Sequence, residues 1–252
     1  MTTMAELWLP AQQDKLYVSA IWSVPCFTLS YIRPDWMNIS CLGVLQYLQG
    51  NVLWELFVEL GGTWRKAQEA CSKLENIVAV CARRLGRERP VNCMTVTMIR
   101  QSATAKPKFK VTSAEGRHFL PILVDMLSTT FSCATAHAQL RLSCAKALLG
   151  CYHELEHWVP GESPHKLATH ARQHLLLYCR LRQESVSDRM WNLFPKHHLL
   201  IHVAEGAVTN PRLEWNYGDE SEIGLAVKEA MASHKVFLPV HLIQRYRATF
   251  TM

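Results

Sequence analysis

Apolar residues recur at spacings of three and four from Leu42 onward: Leu42, Leu45, Leu48, Val52, Leu56 and Leu60 form one stripe on a helix that Gly61-Gly62 stops. A second helix is predicted from Thr63 to Leu85, with Cys71, Leu74, Ile77, Val78 and Cys81 on one side. Pro90 then opens an extended stretch, and the β-branched content of Val91–Ile99 predicts a short strand or the start of a helix. From Ser113 the pattern is helical again, over 114–130, 135–158, 165–184, 196–205, 220–233 and 239–247, with breaks at Pro160-Gly161, Pro195, Asn210-Pro211 and Pro239. Residues 1–40 are irregular, punctuated by Pro10, Pro25 and Pro34, with one candidate strand at Leu16–Trp22. The expected fold is mainly α with at most a few short strands, in three parts: irregular 1–40, a helical pair with a basic extended loop over 41–110, and a helical domain over 111–252.

Composition narrows the class. A chain of 252 residues that is 49% hydrophobic can bury a sizeable core, which argues against global disorder. Lys and Arg total 27 against 21 Asp and Glu, a net charge of +6, which permits contact with nucleic acid without demanding it. Nine cysteines without a Cys-x-x-Cys pair suit free thiols in a reducing, intracellular setting. The N-terminus lacks the basic and apolar regions of a secretory signal. The apolar run Cys41–Leu60 is interrupted by Gln46, Gln49, Asn51, Glu55 and Glu59, so it reads as a buried helix and no membrane partner is expected.

His153-Glu154-Leu155-Glu156-His157 matches H-E-x-x-H, in which two histidines one helical turn apart hold zinc and the glutamate activates the bound water. Against a zinc hydrolase stand the charge of Glu156, the Pro160-Gly161 break one turn later, and the displacement of Gly161 and His165 from the extended three-ligand spacing. The same spacing recurs at His170/His174 and His198/His202, so a histidine-rich helical protein is the preferred reading. His198 and His202 could offer two nitrogens to a divalent metal; an amphipathic helix with Leu199, Leu200 and Val203 in the core explains them without one.

Two basic runs could meet phosphate: Arg83, Arg84, Arg87 and Arg89, and Lys106, Lys108 and Lys110, which share one face if extended. Solvated surface is the commoner explanation of such runs, and no aromatic residue is interleaved with them in the way a single-strand groove needs. Near the C-terminus, Asp219 can cap a helix with Glu220 and Glu222 in its first turn, or the cluster can present a carboxylate to a divalent metal.

Three blocks resemble a known family. Pro34-Asp35-Trp36-Met37-Asn38-Ile39-Ser40-Cys41-Leu42-Gly43-Val44 with Gly50, then Ala114-Glu115-Gly116-Arg117 to Pro121, then Pro195-Lys196-His197-His198 with His202, Asn210-Pro211-Arg212, Trp215, Tyr217, Asp219-Glu220 and Gly224 follow one another as in mobile-element proteins. They are distantly similar to Plavaka-type transposases of the Kyakuja–Dileera–Zisupton group. The resemblance implies the C-terminal helical part of a DNA transposase, with the remnant of a ribonuclease-H-like core and its helical insertion. It implies Asp35 and Glu220 as metal-binding acids, Glu115 and Arg117 as support, Mg or Mn as the ion, DNA as partner and a nuclear location. Asn38 stands where the block has histidine, Cys41 is unusual in its place, and no convincing strand bearing a first aspartate precedes Asp35, so catalytic competence alone is not expected. The functions carried forward are a transposon-derived chain with weak nucleic-acid binding, a zinc hydrolase, and a helical interaction scaffold.

Overall fold

The computed structural model describes residues 35–214 apart from 132, 133 and 162. The candidate strand Leu16–Trp22 and the helices expected over 220–233 and 239–247 lie outside the described residues. A π-helix, Met37–Leu45, runs without a break into α1 (Gln46–Glu59). There follow α2 (Ala67–Arg84), the single turn α3 (Val96–Ile99), α4 (Ser113–Thr129), α5 (Ala136–Glu156), α6 (His165–Glu184), α7 (Pro195–Glu205) and a 3-10 turn at Pro211–Glu214.

Among the described residues every regular element is helical and no strand forms. This corrects the expectation of short strands there, and with it the ribonuclease-H-like remnant, because that core is organised around a β-sheet. The segment 91–99 shows why. Thr95 accepts the Met98 N–H at 3.3 Å and caps one helical turn, which buries Ile99. The extended Lys106–Lys110 segment does approach it, with the Lys108 N–H donating to the Ile99 carbonyl at 3.0 Å and the Lys110 N–H to that of Met98 at 2.7 Å. Its opposite edge meets a helix, where the Phe109 N–H donates to the Gln46 carbonyl at 2.9 Å, so no ladder can propagate.

One hydrophobic core extends from Trp36 to Ala204. The π-helix sits at its centre, packed against α1, α4 and α7, with Met37, Cys41, Val44 and Leu45 fully buried. The broadest helix pair is α5 on α6, where Gly150 leaves room for the His170 imidazole: a β-carbon there would stand 2.7 Å from its Nδ1.

The polar residues that break the apolar run of α1 each have a partner, as buried polar groups require. Gln46 Nε2 donates to the Val111 carbonyl at 2.6 Å and Gln49 Nε2 to that of Gly116 at 2.7 Å, fixing the start of α4. Asn51 Nδ2 reaches Tyr178 Oη at 3.1 Å, and its Oδ1 accepts the Trp191 N–H at 2.8 Å. Glu55 accepts from the Trp191 indole at 2.6 Å and from Arg141 at 3.0 Å, and Arg141, buried to 3% exposure, also reaches Glu59 at 2.7 Å. Trp191 needs this support because its φ of 53° costs a residue with a β-carbon about 1–3 kcal/mol. The charge-assisted bond to Glu55, worth roughly 1.5–3 kcal/mol, and the neutral one to Asn51 offset that cost and tie the 185–194 connector to α1. No helix among the described residues is long and apolar enough to cross a membrane.

Candidate nucleic-acid interface

The connector delivers Phe194 against α1, where its ring stacks on Tyr47 with centroids 4.0 Å apart and planes 17° from parallel. Lys106 Nζ lies 4.9 Å from the centre of the Phe194 ring and Lys108 Nζ 5.4 Å from that of Tyr47. The lysine segment is extended: its backbone donors alternate in direction, and burial alternates with them. Pro107 and Phe109 point into the protein, while Lys106 and Lys110 are exposed and Lys108 is half-buried. The three ammonium-bearing residues therefore share one face, as the sequence predicts.

Gly50 makes this docking possible. A β-carbon at that position of α1 would stand 2.5 Å from the Lys108 nitrogen and 2.8 Å from that of Phe109. Lys196, one residue inside α7, adds a fourth cation: its Nζ donates to the Asn38 carbonyl at 2.7 Å, with its stem laid across Gly43. Burial and the positive charges of Lys196 and Lys110 lower the Lys108 pKa.

In the arginine run Arg87 is exposed, while the other three engage protein groups. Arg84 pairs with Asp125, its Nε at 3.0 Å, and also reaches Thr129. Arg89 donates to the Val91 carbonyl at 3.1 Å and to that of Asn92. Arg83 bonds back to the Ala79 carbonyl at 3.4 Å. Arg83 and Arg84 occupy the last turn of α2, where cations suit the helix dipole.

The histidine pairs divide into three environments. His153 and His157 are exposed at the end of α5 with rings stacked 4.2 Å apart, and His157 Nδ1 meets the His153 carbonyl at 3.0 Å. Glu154 turns toward His170, 3.9 Å away, and borders an open groove of about 270 Å³ with His157, Trp158, His165 and Lys166. His170 and His174 face α5, and His174 is wholly buried, its Nδ1–H donating to the Cys144 carbonyl at 3.0 Å. His198 and His202 are exposed on α7 with their Nε2 atoms 2.8 Å apart. Among the described residues, no group of three or more His, Cys, Asp or Glu side chains could hold a metal ion.

Burial lowers the His174 pKa to about 4. The neighbouring His197 is also lowered to about 4 by burial, and its Nδ1 accepts the Phe194 N–H at 3.1 Å. Both are therefore neutral core residues, and His197 fixes the turn that presents Phe194 and Lys196.

Asp35 and Glu115 take capping positions. Asp35 accepts the N–H groups of Met37 at 3.2 Å and Asn38 at 2.8 Å, and the Asn38 amide at 2.8 Å, opening the π-helix. Glu115 closes a capping box with Thr112, accepting its N–H at 2.7 Å. Glu220 lies outside the described residues.

Tyr47, Phe194, Lys196 and Gly50 are absent from the sequence-based site. Gly50 in mid-helix was the one signal available, since such a glycine marks a close approach. No protein-family model, curated protein or solved structure matches the chain.

Proposed function

We propose that the chain is a helical nucleic-acid-binding protein that holds a phosphate backbone along Lys106, Lys108 and Lys110, with Lys196 beside them. Its derivation from the C-terminal helical part of a mobile-element protein belongs to the same reading and rests on the order of the sequence blocks. The observation that carries the binding role is the docked lysine ribbon. Alternate residues of an extended chain recur about every 6.6 Å, a spacing suited to neighbouring phosphates along one strand. The ribbon is fixed on both edges by backbone hydrogen bonds, so little ordering cost falls on binding. Tyr47 and Phe194 serve to position the lysines, which makes recognition of the backbone, independent of base sequence, the expected mode.

Fluorescence anisotropy of labelled oligonucleotides, titrated from about 50 to 200 mM salt, tests this. Three to four phosphate contacts predict a log–log slope of about −2 to −3 for a single strand. Binding insensitive to salt, or unchanged in a triple Lys106→Ala, Lys108→Ala, Lys110→Ala variant, contradicts the proposal.

A further inference from the structure

We infer that His198 and His202 form a two-nitrogen chelate for a divalent d-block ion of the Ni2+ or Cu2+ kind. Histidines four apart on a helix lie on the same face, but spacing alone does not bring their nitrogens together, as the other two pairs show. In the His153/His157 pair the rings stack nearly parallel, 28° apart, and His157 Nδ1 is engaged with a backbone carbonyl. In the His170/His174 pair, His174 is fully buried and bonded to Cys144. His198 and His202 differ from both. Their rings are perpendicular at 88°, both are exposed, and each aims Nε2 at the other across 2.8 Å.

That separation carries chemical information. With metal–nitrogen bonds of about 2.0 Å, two nitrogens 2.8 Å apart subtend about 90° at the metal. A right angle is the bite of adjacent positions in octahedral or tetragonal coordination, the geometries of Ni2+ and Cu2+, and is tighter than a tetrahedral zinc site needs. Without metal one Nε2 of the pair donates and the other accepts. Once the donating ring takes its Nδ1–H tautomer, its Nε2 proton leaving through water as Nδ1 gains one, a modest rotation of the exposed rings turns both Nε2 lone pairs toward a common ion. Water fills the remaining positions, because Glu205, next on this face, is held by Arg172 at 2.8 Å.

Isothermal titration with Ni2+ tests the inference, using wild type, His198→Ala, His202→Ala and a double His153→Ala, His157→Ala variant. Wild type should bind one ion per chain at this site, and each α7 variant should weaken it by about tenfold or more and to the same extent, since a chelate loses its advantage with either arm. The α5 double variant should retain the site, and Mg2+ should give no heat, as a hard ion preferring oxygen. Circular dichroism of each variant guards against unfolding, which substitution of exposed side chains should not cause. The inference fails if wild type takes up no Ni2+, if both α7 variants bind it within about twofold of wild type, or if the site disappears with His153 and His157 instead.

Discussion

Arg83 to Arg89 and Lys106 to Lys110 look alike as runs of positive charge, yet the protein uses them in opposite ways. Arg83 and Arg84 end a helix, and with Arg89 they engage a carboxylate, a hydroxyl and backbone carbonyls, while Arg87 is exposed. The lysines stand on a backbone that is itself docked, with Lys106 over the Phe194 ring and Lys108 over that of Tyr47. Charge density in a sequence therefore says little about which cations are free to receive an anion. What decides it is whether backbone and packing satisfy the segment without using the charged ends.

Acid makes the largest test of that difference. His174 and His197 have folded-state pKa values of about 4 against an ordinary 6.5, so both are neutral in the folded protein and take up protons on unfolding. Their contribution is fully present above pH 6.5 and is lost as pH falls toward 4. With a loss of about 1.4 kcal/mol per pH unit per group, two histidines give up to roughly 4 kcal/mol between pH 6.5 and 5. Urea denaturation at pH 7 and pH 5 should show this fall, and a double His174→Gln, His197→Gln variant, though weaker at pH 7, should show a much flatter profile. Because His197 anchors Phe194, the lysine face should lose its shape with the core, whereas the arginine run depends on neither histidine.

Gly50→Val attacks the docking itself. Its side chain must displace the backbone of Lys108 and Phe109, which cannot yield as a flexible side chain would. Overpacking of this kind costs about 1–3 kcal/mol, and Phe109, fully buried, would be pushed toward solvent. The urea midpoint should drop, and oligonucleotide affinity should fall by more than the loss of a single lysine causes. Equal affinity in the variant would mean that the ribbon's order is irrelevant to binding.

Several of these features were legible in the sequence. The helices expected over 114–130, 135–158, 165–184 and 196–205 end within about two residues of the observed α4 to α7, because Thr112, Thr135, Pro164 and Pro195 punctuate strongly periodic segments. The π-helix was not legible: its residues are buried nearly all round, so no stripe marks its period. Nor was the pairing of Tyr47 with Phe194, which depends on the Trp191 turn and its bonds to Asn51 and Glu55. The segment 91–99 has the composition of a strand but lacks a strand partner among the described residues, and β-propensity expresses a fit to neighbours more than a backbone preference. The lysine face was half legible, with its alternation visible and the aromatic floor hidden by distance along the chain.

Removing charge one residue at a time sharpens the comparison further. Lys108→Ala should weaken oligonucleotide binding and reduce the salt slope by about 0.7 for a single strand, one phosphate contact. Lys196→Ala should do the same if its ammonium leaves the Asn38 carbonyl to meet phosphate, and should leave the slope unchanged if it stays bonded there. Anisotropy at several salt concentrations separates these outcomes.

The smallest effect is expected at Arg84. Its guanidinium is engaged by Asp125 and Thr129, so phosphate would have to replace partners already in place. Arg84→Ala should leave the salt slope unchanged and affinity within about twofold, although it removes the same formal charge as Lys108→Ala. The pair with Asp125 lies partly exposed, where such ion pairs contribute little to stability. A slope reduced as much as by Lys108→Ala would place the arginine run on the nucleic acid, and the contrast between the two runs would then reflect their protein partners alone and not their use.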